Sequence, residues 1–267
     1  MPEIGSFAAL GDSFTEGLGD PCADGPGGYR GWADRFAERL ATHRPGLRYA
    51  NLAVRGRLAG AVAADQVPRA ITMAPDLVSV AAGGNDLLRP RSDPDAIADA
   101  IDAAVTQLSA AGCEVMLFTG FDPRMFPLIR LIRGKAAAYS MNLRAIADRS
   151  GCHLVDLWSM RVLADSREWS PDRLHLSPDG HRRVALRACE VMGVSVDEDW
   201  REPLPPAVLG GLKQGGLKQG GSGQWLAARR EDLQWARVHA APWVVRRLRG
   251  VSSGDDVLPK RPELLPL

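Results

Sequence analysis

Four short stretches of this chain carry residue types that could do chemistry together. In ALGDSFTEGLGD, Ser13 directly follows a compact apolar run and precedes a helix-like turn, a junction that exposes a hydroxyl and leaves the first N–H groups of the turn without acceptors. Gly11 and Thr15 flank Ser13, so this is not the G-x-S-x-G elbow of α/β-hydrolases. In SPDRLHLSPDGH, Asp172 stands three residues before His175, close enough to accept from the imidazole Nδ1–H, fix the tautomer and leave Nε2 free to take a proton. In GGND, Asn85 follows a third apolar run and could offer its side-chain amide to a developing oxyanion. Gly56 closes NLAVRG, where a residue without Cβ can bring a backbone N–H close to a ligand. Singly, each has an ordinary use: a helix cap, a surface ion pair, a GG-N-D turn, a turn glycine. His181 is a competing base, but its place inside a helix after Gly180 assigns it a structural role.

Together these residues require a scaffold that delivers several loops to one edge. Apolar runs at Phe7–Leu10, Leu47–Ala53, Asp76–Ala82, Glu114–Thr119 and His153–Leu157 read as buried strands. Between them, Gly31–Thr42, Gly60–Met73 (interrupted near Pro68), Asp93–Ala111 and Lys135–Ser150 read as helices, and Pro178–Met192 closes the series. Asp93 and Pro94 fit the cap and the first helical position of the third helix, and Gly112 follows its end. Such alternation predicts a parallel sheet with helices on both faces, which binds ligands beyond the carboxyl ends of its strands. The candidate residues follow those ends.

The blocks GDSFTEG, NLAVRG, GGNDLL and DRLHLSPDG, in this order over residues 6–192, resemble the SGNH/GDSL hydrolase superfamily. The resemblance implies a flavodoxin-like three-layer α/β/α sandwich with a central parallel sheet. It also implies Ser13, Asp172 and His175 as the catalytic residues, with Ser13, Gly56 and Asn85 as the oxyanion hole. The activity it implies is cleavage of carboxylic esters through an acyl-enzyme on Ser13, as an esterase, acyl hydrolase or deacetylase. An acyltransferase or cyclase using the same acyl-enzyme is an alternative, as is a silent ligand-binding module. Met125, Phe126 and Ile129, in the apolar stretch after the fourth strand, are candidates for an acyl pocket, or else ordinary core.

Composition bounds the rest. With a net charge of +1, the chain gives no reason to expect nucleic acid as a partner, and the expected ligand is a small-molecule or acyl ester. No cysteine pair, HExxH or acidic cluster calls for a metal, and no cofactor is expected. The N-terminus lacks the pattern of a signal peptide and no apolar run is long enough to span a bilayer, so the expectation is a cytoplasmic protein with free Cys22, Cys113, Cys152 and Cys189. The expected division is a hydrolase domain at 1–200 and an extension at 201–267. The extension is basic, with 11 Lys/Arg against 6 Asp/Glu, and begins with a Gly-rich linker in which GLKQG occurs twice at 211–220. Gln224–Ala240 then reads as a Trp-containing helix, either packed on its own domain or lying on a membrane or partner. Pro242 breaks it, Trp243–Leu248 follows as another turn or two, and residues 251–267, polar and Pro-rich, read as a surface-running or disordered tail.

Overall fold

The computed structural model describes residues 4–23, 28–126, 129–205 and 253–267. Its strands are β1 (Ser6–Gly11), β2 (Arg48–Asn51), β3 (Leu77–Ala81), β4 (Glu114–Phe118), β5 (His153–Val155) and β6 (Arg261–Pro266). They form one sheet in the order β5-β4-β3-β1-β2-β6. The first five are parallel and β6 is antiparallel to β2. The 2-1-3-4-5 order of the parallel strands is the flavodoxin-like one, and its switch point lies between β1 and β3.

Both faces of the sheet are covered, which is why the strands read as unbroken apolar runs. Phe7 and Ala9 point to one face, with Met116 and Phe118 of β4, and pack against α2 (Trp32–His43) and α8 (Pro178–Val191) through Phe36, Leu40, Val184 and Ala188. Ala8, Leu10, Val115 and Leu117 point to the other, against α4 (Val67–Met73), α6 (Pro94–Ala110) and α7 (Arg133–Ser150) through Ala70, Ile101, Leu108, Leu143 and Ile146. These are the three layers of the expected sandwich. Asp93 caps α6 by accepting from the Asp95 N–H, with Pro94 in the first turn.

The structure differs from the sequence reading in three places. The expected break near Pro68 is a π-turn: α3 (Ala59–Ala61) runs into Val62–Gln66 in π geometry before α4 begins. Pro68 has no N–H to donate back along the helix, so the turn widens just before it instead of ending. The last residues are not a loose tail. β6 adds an antiparallel edge, with Tyr49 opposite Leu265 and Arg48 opposite Pro266. RPELLP lacks the alternation of a half-buried strand and carries two prolines, which an edge position tolerates. The chain forms two compact units, one of Met1–Arg201 with Ser253–Leu267 and one of Glu202–Ser252, so the final residues belong with the sheet and not with an extension. The GLKQG repeat and the helices expected at Gln224–Ala240 and Trp243–Leu248 lie outside the described residues. Among those described, no helix is long and apolar enough to cross a membrane, and all four cysteines are free.

Candidate active site

Ser13 opens α1 (Ser13–Glu16), the turn that leaves the carboxyl end of β1. Gly11 makes that sharp exit possible. Its φ is +151°, and a Cβ there would lie 2.3 Å from the Ala81 carbonyl of the adjacent strand and 2.7 Å from Thr15 Oγ1. The peptide of Gly11 is pinned by Gln66 of the π-turn, whose Oε1 accepts from Gly11 N–H at 2.8 Å while its Nε2 donates to Gly11 O at 2.9 Å. Nothing in the helical pattern of residues 60–73 marks Gln66, because the π-turn alone rotates it inward.

The base arrives from the far end of the chain. Trp169 and Leu176 pair across a short bridge, and within it Ser170 N–H donates to His175 O at 2.8 Å. Asp172 sits at the centre of this turn. Its Oδ1 accepts from Ser170 Oγ (2.6 Å), Leu174 N–H (2.9 Å) and His175 N–H (3.0 Å), and its Oδ2 accepts from His175 Nδ1 at 2.6 Å. Burial alone would raise this carboxyl, but the imidazole and these donors hold it well below the usual carboxylate range. With Nδ1 donating to Asp172, the Nε2 of His175 is an acceptor, and it lies 2.9 Å from Ser13 Oγ. The Ser13–His175–Asp172 relay is thus continuous. Glu168 anchors the start of the turn, accepting from Arg183 Nε at 2.6 Å, with both side chains 1% exposed.

Asn85 projects from the short turn α5 (Gly84–Leu87) after β3. Its Nδ2 donates to Asp12 Oδ2 at 3.0 Å and to the Arg57 carbonyl at 3.1 Å. The structure therefore brings Asn85 against the residue before Ser13 and the residue after Gly56. Gly56 itself lies in the turn beyond β2, with φ +75°. Asp12 caps α1 through Phe14 N–H (3.1 Å) with Oδ1 and holds Asn85 with Oδ2. Burial pushes the Asp12 carboxyl up to about 6, against the pull of the Phe14 N–H, His175 and Asn85. In the sequence Asp12 stands out only as the residue before Ser13, since its partner Asn85 is 73 residues away.

The other sequence candidates fall elsewhere. His181 is fully buried, accepts from Trp32 N–H at Nδ1 (3.1 Å) and faces Leu18 O with Nε2 (3.0 Å). Burial drives it down to about 3, so it stays neutral and structural, as the sequence reading had it. Phe126 is buried and edge-on to Trp169, with ring centroids 5.0 Å apart, which makes it core instead of exposed pocket wall. Met125 and Ile129 are half-buried and pack on the same cluster. Among the described residues no group of three His, Cys, Asp or Glu side chains could hold a metal ion.

A hydroxyl bonded to an imidazole that is itself fixed by a carboxylate, at the switch point of a doubly wound sheet, is the equipment of a carboxylic ester hydrolase. The model of the GDSL-like Lipase/Acylhydrolase family matches residues 9–183, and the chain belongs to that family. Among solved structures it is similar to LAE5, an alpha/beta hydrolase enzyme from the metagenome of Lake Arreo, Spain, at 23% identity and a TM-score of 0.60 over 71% of this chain and 95% of that one. TesA matches at 22% identity and 0.59, over 70% and 97%. Axe2, an acetylxylan esterase from Geobacillus stearothermophilus, matches at 19% and 0.58, over 74% and 96%. At these identities the similarity is one of fold. No curated protein matches the chain.

Proposed function

We propose that the protein hydrolyses small or medium acyl esters through an acyl-enzyme on Ser13. The observation that carries this is the unbroken relay: 2.9 Å from Ser13 Oγ to His175 Nε2 and 2.6 Å from His175 Nδ1 to Asp172. Ser13 Oγ attacks the ester carbonyl while its proton passes to His175 Nε2. The tetrahedral oxyanion is bound by the N–H groups of Ser13 and Gly56 and by the Asn85 amide. His175 then gives the proton to the leaving alkoxide, and water, activated by the same imidazole, releases the acid. Both Asn85 Nδ2 hydrogens have acceptors in the resting site, Asp12 and Arg57 O. The substrate oxygen therefore takes over the bond to the Arg57 carbonyl, while Asp12 keeps the amide aimed.

The neighbouring folds suggest acetyl esters as the first substrates to try, since Axe2 is an acetylxylan esterase and TesA and LAE5 share the architecture. An esterase of similar fold, EstA from Pseudoalteromonas sp., is inhibited by monoethylphosphonate, which supports testing a phosphonate here. The experiment is hydrolysis of p-nitrophenyl esters from acetate to long chains by wild type and Ser13→Ala, with phosphonate labelling followed by mass spectrometry. We expect turnover that vanishes in the variant, one phosphonate per chain on Ser13, and a chain-length profile that sizes the acyl pocket. Turnover unchanged in Ser13→Ala overturns the assignment.

A further inference from the structure

Two parts of the chain that take no part in the proton relay meet at Arg55, the residue before Gly56. Glu16 lies on the same turn as Ser13, three residues on, and is only 4% exposed. Its Oε2 accepts from the Arg55 backbone N–H at 2.7 Å, and its carboxylate is also paired with the Arg55 guanidinium, Nε lying 2.9 Å from Oε1. Burying a carboxylate is costly unless it is fully paired, and here the pairing goes to one residue's main chain and side chain together. From the other side, the returning segment presses on the same residue. A Cβ on Gly254 would lie 2.0 Å from Arg55 O and 2.9 Å from Val54 Cγ1. That segment is itself tied down. Lys260, 2% exposed at its side chain, reaches Asp34 at 2.6 Å and Tyr29 O at 3.2 Å, and β6 then pairs with β2.

We propose that Glu16 and Gly254 are positioning residues that clamp Arg55 at its N–H and its carbonyl, so that the following Gly56 N–H and the Ser13 N–H converge on one oxygen. Because Glu16 is on the serine's own turn, its carboxylate acts as a fixed spacer between the two backbone donors. Gly254 lies in Ser253–Leu267, the segment that forms one compact unit with Met1–Arg201. This rests on the reading of Gly56 as an oxyanion donor.

The test is steady-state kinetics on p-nitrophenyl acetate together with inhibition by phenylboronic acid, whose tetrahedral adduct probes the same donors. Glu16→Ala is expected to lower kcat by about 10- to 100-fold, part of what a whole donor supplies, with KM within about twofold and the boronate Ki raised in parallel. Glu16→Gln keeps an oxygen for the Arg55 N–H and is expected to recover most of kcat. Gly254→Ala adds a methyl group against Arg55 O and Val54 Cγ1 and should lower kcat in the same direction. Leu108→Ala, in the core away from the site, controls for stability and should lower Tm with kcat unchanged. The clamp is overturned if Glu16→Ala and Gly254→Ala keep kcat within about twofold of wild type, or if Leu108→Ala matches their loss at equal Tm depression. If Glu16→Ala does not fold, Glu16→Gln and Gly254→Ala decide: an unimpaired Gly254→Ala overturns it. A fully active Ser13→Ala would instead sink the underlying reading, whereas an inactive Ser13→Ala beside unimpaired clamp variants sinks the clamp alone.

Discussion

On one side of the Ser13 hydroxyl, Asp172 and His175 stand three residues apart in a turn that bonds to itself, Ser170 to His175 and Asp172 to four donors between Ser170 and His175. On the other side, Gly56 and Asn85, the proposed oxyanion donors, follow different strands, β2 and β3, and their surroundings are held from still other places: Asp12 holds Asn85, Glu16 holds Arg55, and Gln66 pins Gly11 at the end of the serine's strand. The relay side is a local structure that needs the fold only to deliver it. The proposed oxyanion side exists only once the sheet has formed, because its donors Ser13, Gly56 and Asn85 come from three separate strand ends. A substitution on the relay side should therefore change chemistry abruptly and geometry little. One on the oxyanion side should give graded losses that depend on which support is removed.

The largest effect expected in this comparison comes from Asp172→Asn. The amide keeps an oxygen for the local donors but presents an N–H₂ group or a lone oxygen to His175, so the imidazole no longer has a fixed Nδ1–H. Loss of about 10⁴-fold in kcat is expected, with KM little changed and the far-UV spectrum unaltered. A variant within about tenfold of wild type would mean that the turn, and not the carboxylate charge, orients His175. On the oxyanion side, Asn85→Ala should lower kcat by about 10²- to 10³-fold and weaken phenylboronate in proportion, leaving a folded enzyme. Near-full activity would remove Asn85 from the site and leave the two backbone donors to carry the oxyanion.

The same contrast explains what the sequence made legible. The parallel sheet with helices on both faces followed from the alternation of apolar runs and helical stretches, and the candidate site residues were picked out by their places at the ends of those runs, signals that survive in one dimension. Asp172 and His175 were readable as a pair because their contact is local. What escaped was everything whose meaning depends on a distant partner. Gln66 faces the serine's strand only because a π-turn rotates it, and nothing local marks Asp12 because Asn85 is 73 residues away. Glu16 would pass for a surface acid until Arg55 is folded over it. β6 was invisible for another reason: an exposed edge strand with two prolines buries too little to leave a periodic pattern. Phe126 could be read either as pocket or as core because a hydrophobic loop residue looks the same whether it meets a ligand or Trp169.

The smallest expected effect sharpens the comparison most, because it separates support from chemistry at one residue. Asp12→Asn keeps an oxygen for the Phe14 N–H but turns a donor toward the Asn85 amide, removing the acceptor that aims it. A loss of about tenfold in kcat is expected, corresponding to about 1.4 kcal/mol of transition-state stabilisation. Stability should move the other way. The folded carboxyl sits near 6, above its unfolded value of 3.8, so ionised Asp12 weakens the fold. That cost is absent below about pH 4, grows as pH rises toward 6 and is complete above it, where the shift corresponds to about 3 kcal/mol. The neutral asparagine escapes the cost but gives up the bond to Asn85, worth about 1–2 kcal/mol. The net expectation is a slower enzyme that is about 1 kcal/mol more stable at pH 8, an advantage of a few degrees in Tm that narrows as the pH is lowered from 6 toward 4. Thermal denaturation at pH 8 and pH 5 measures it directly. A variant less stable than wild type at pH 8 would show that the Asp12–Asn85 bond outweighs the burial of the charge, and the oxyanion side would then count as a source of stability as well as of rate.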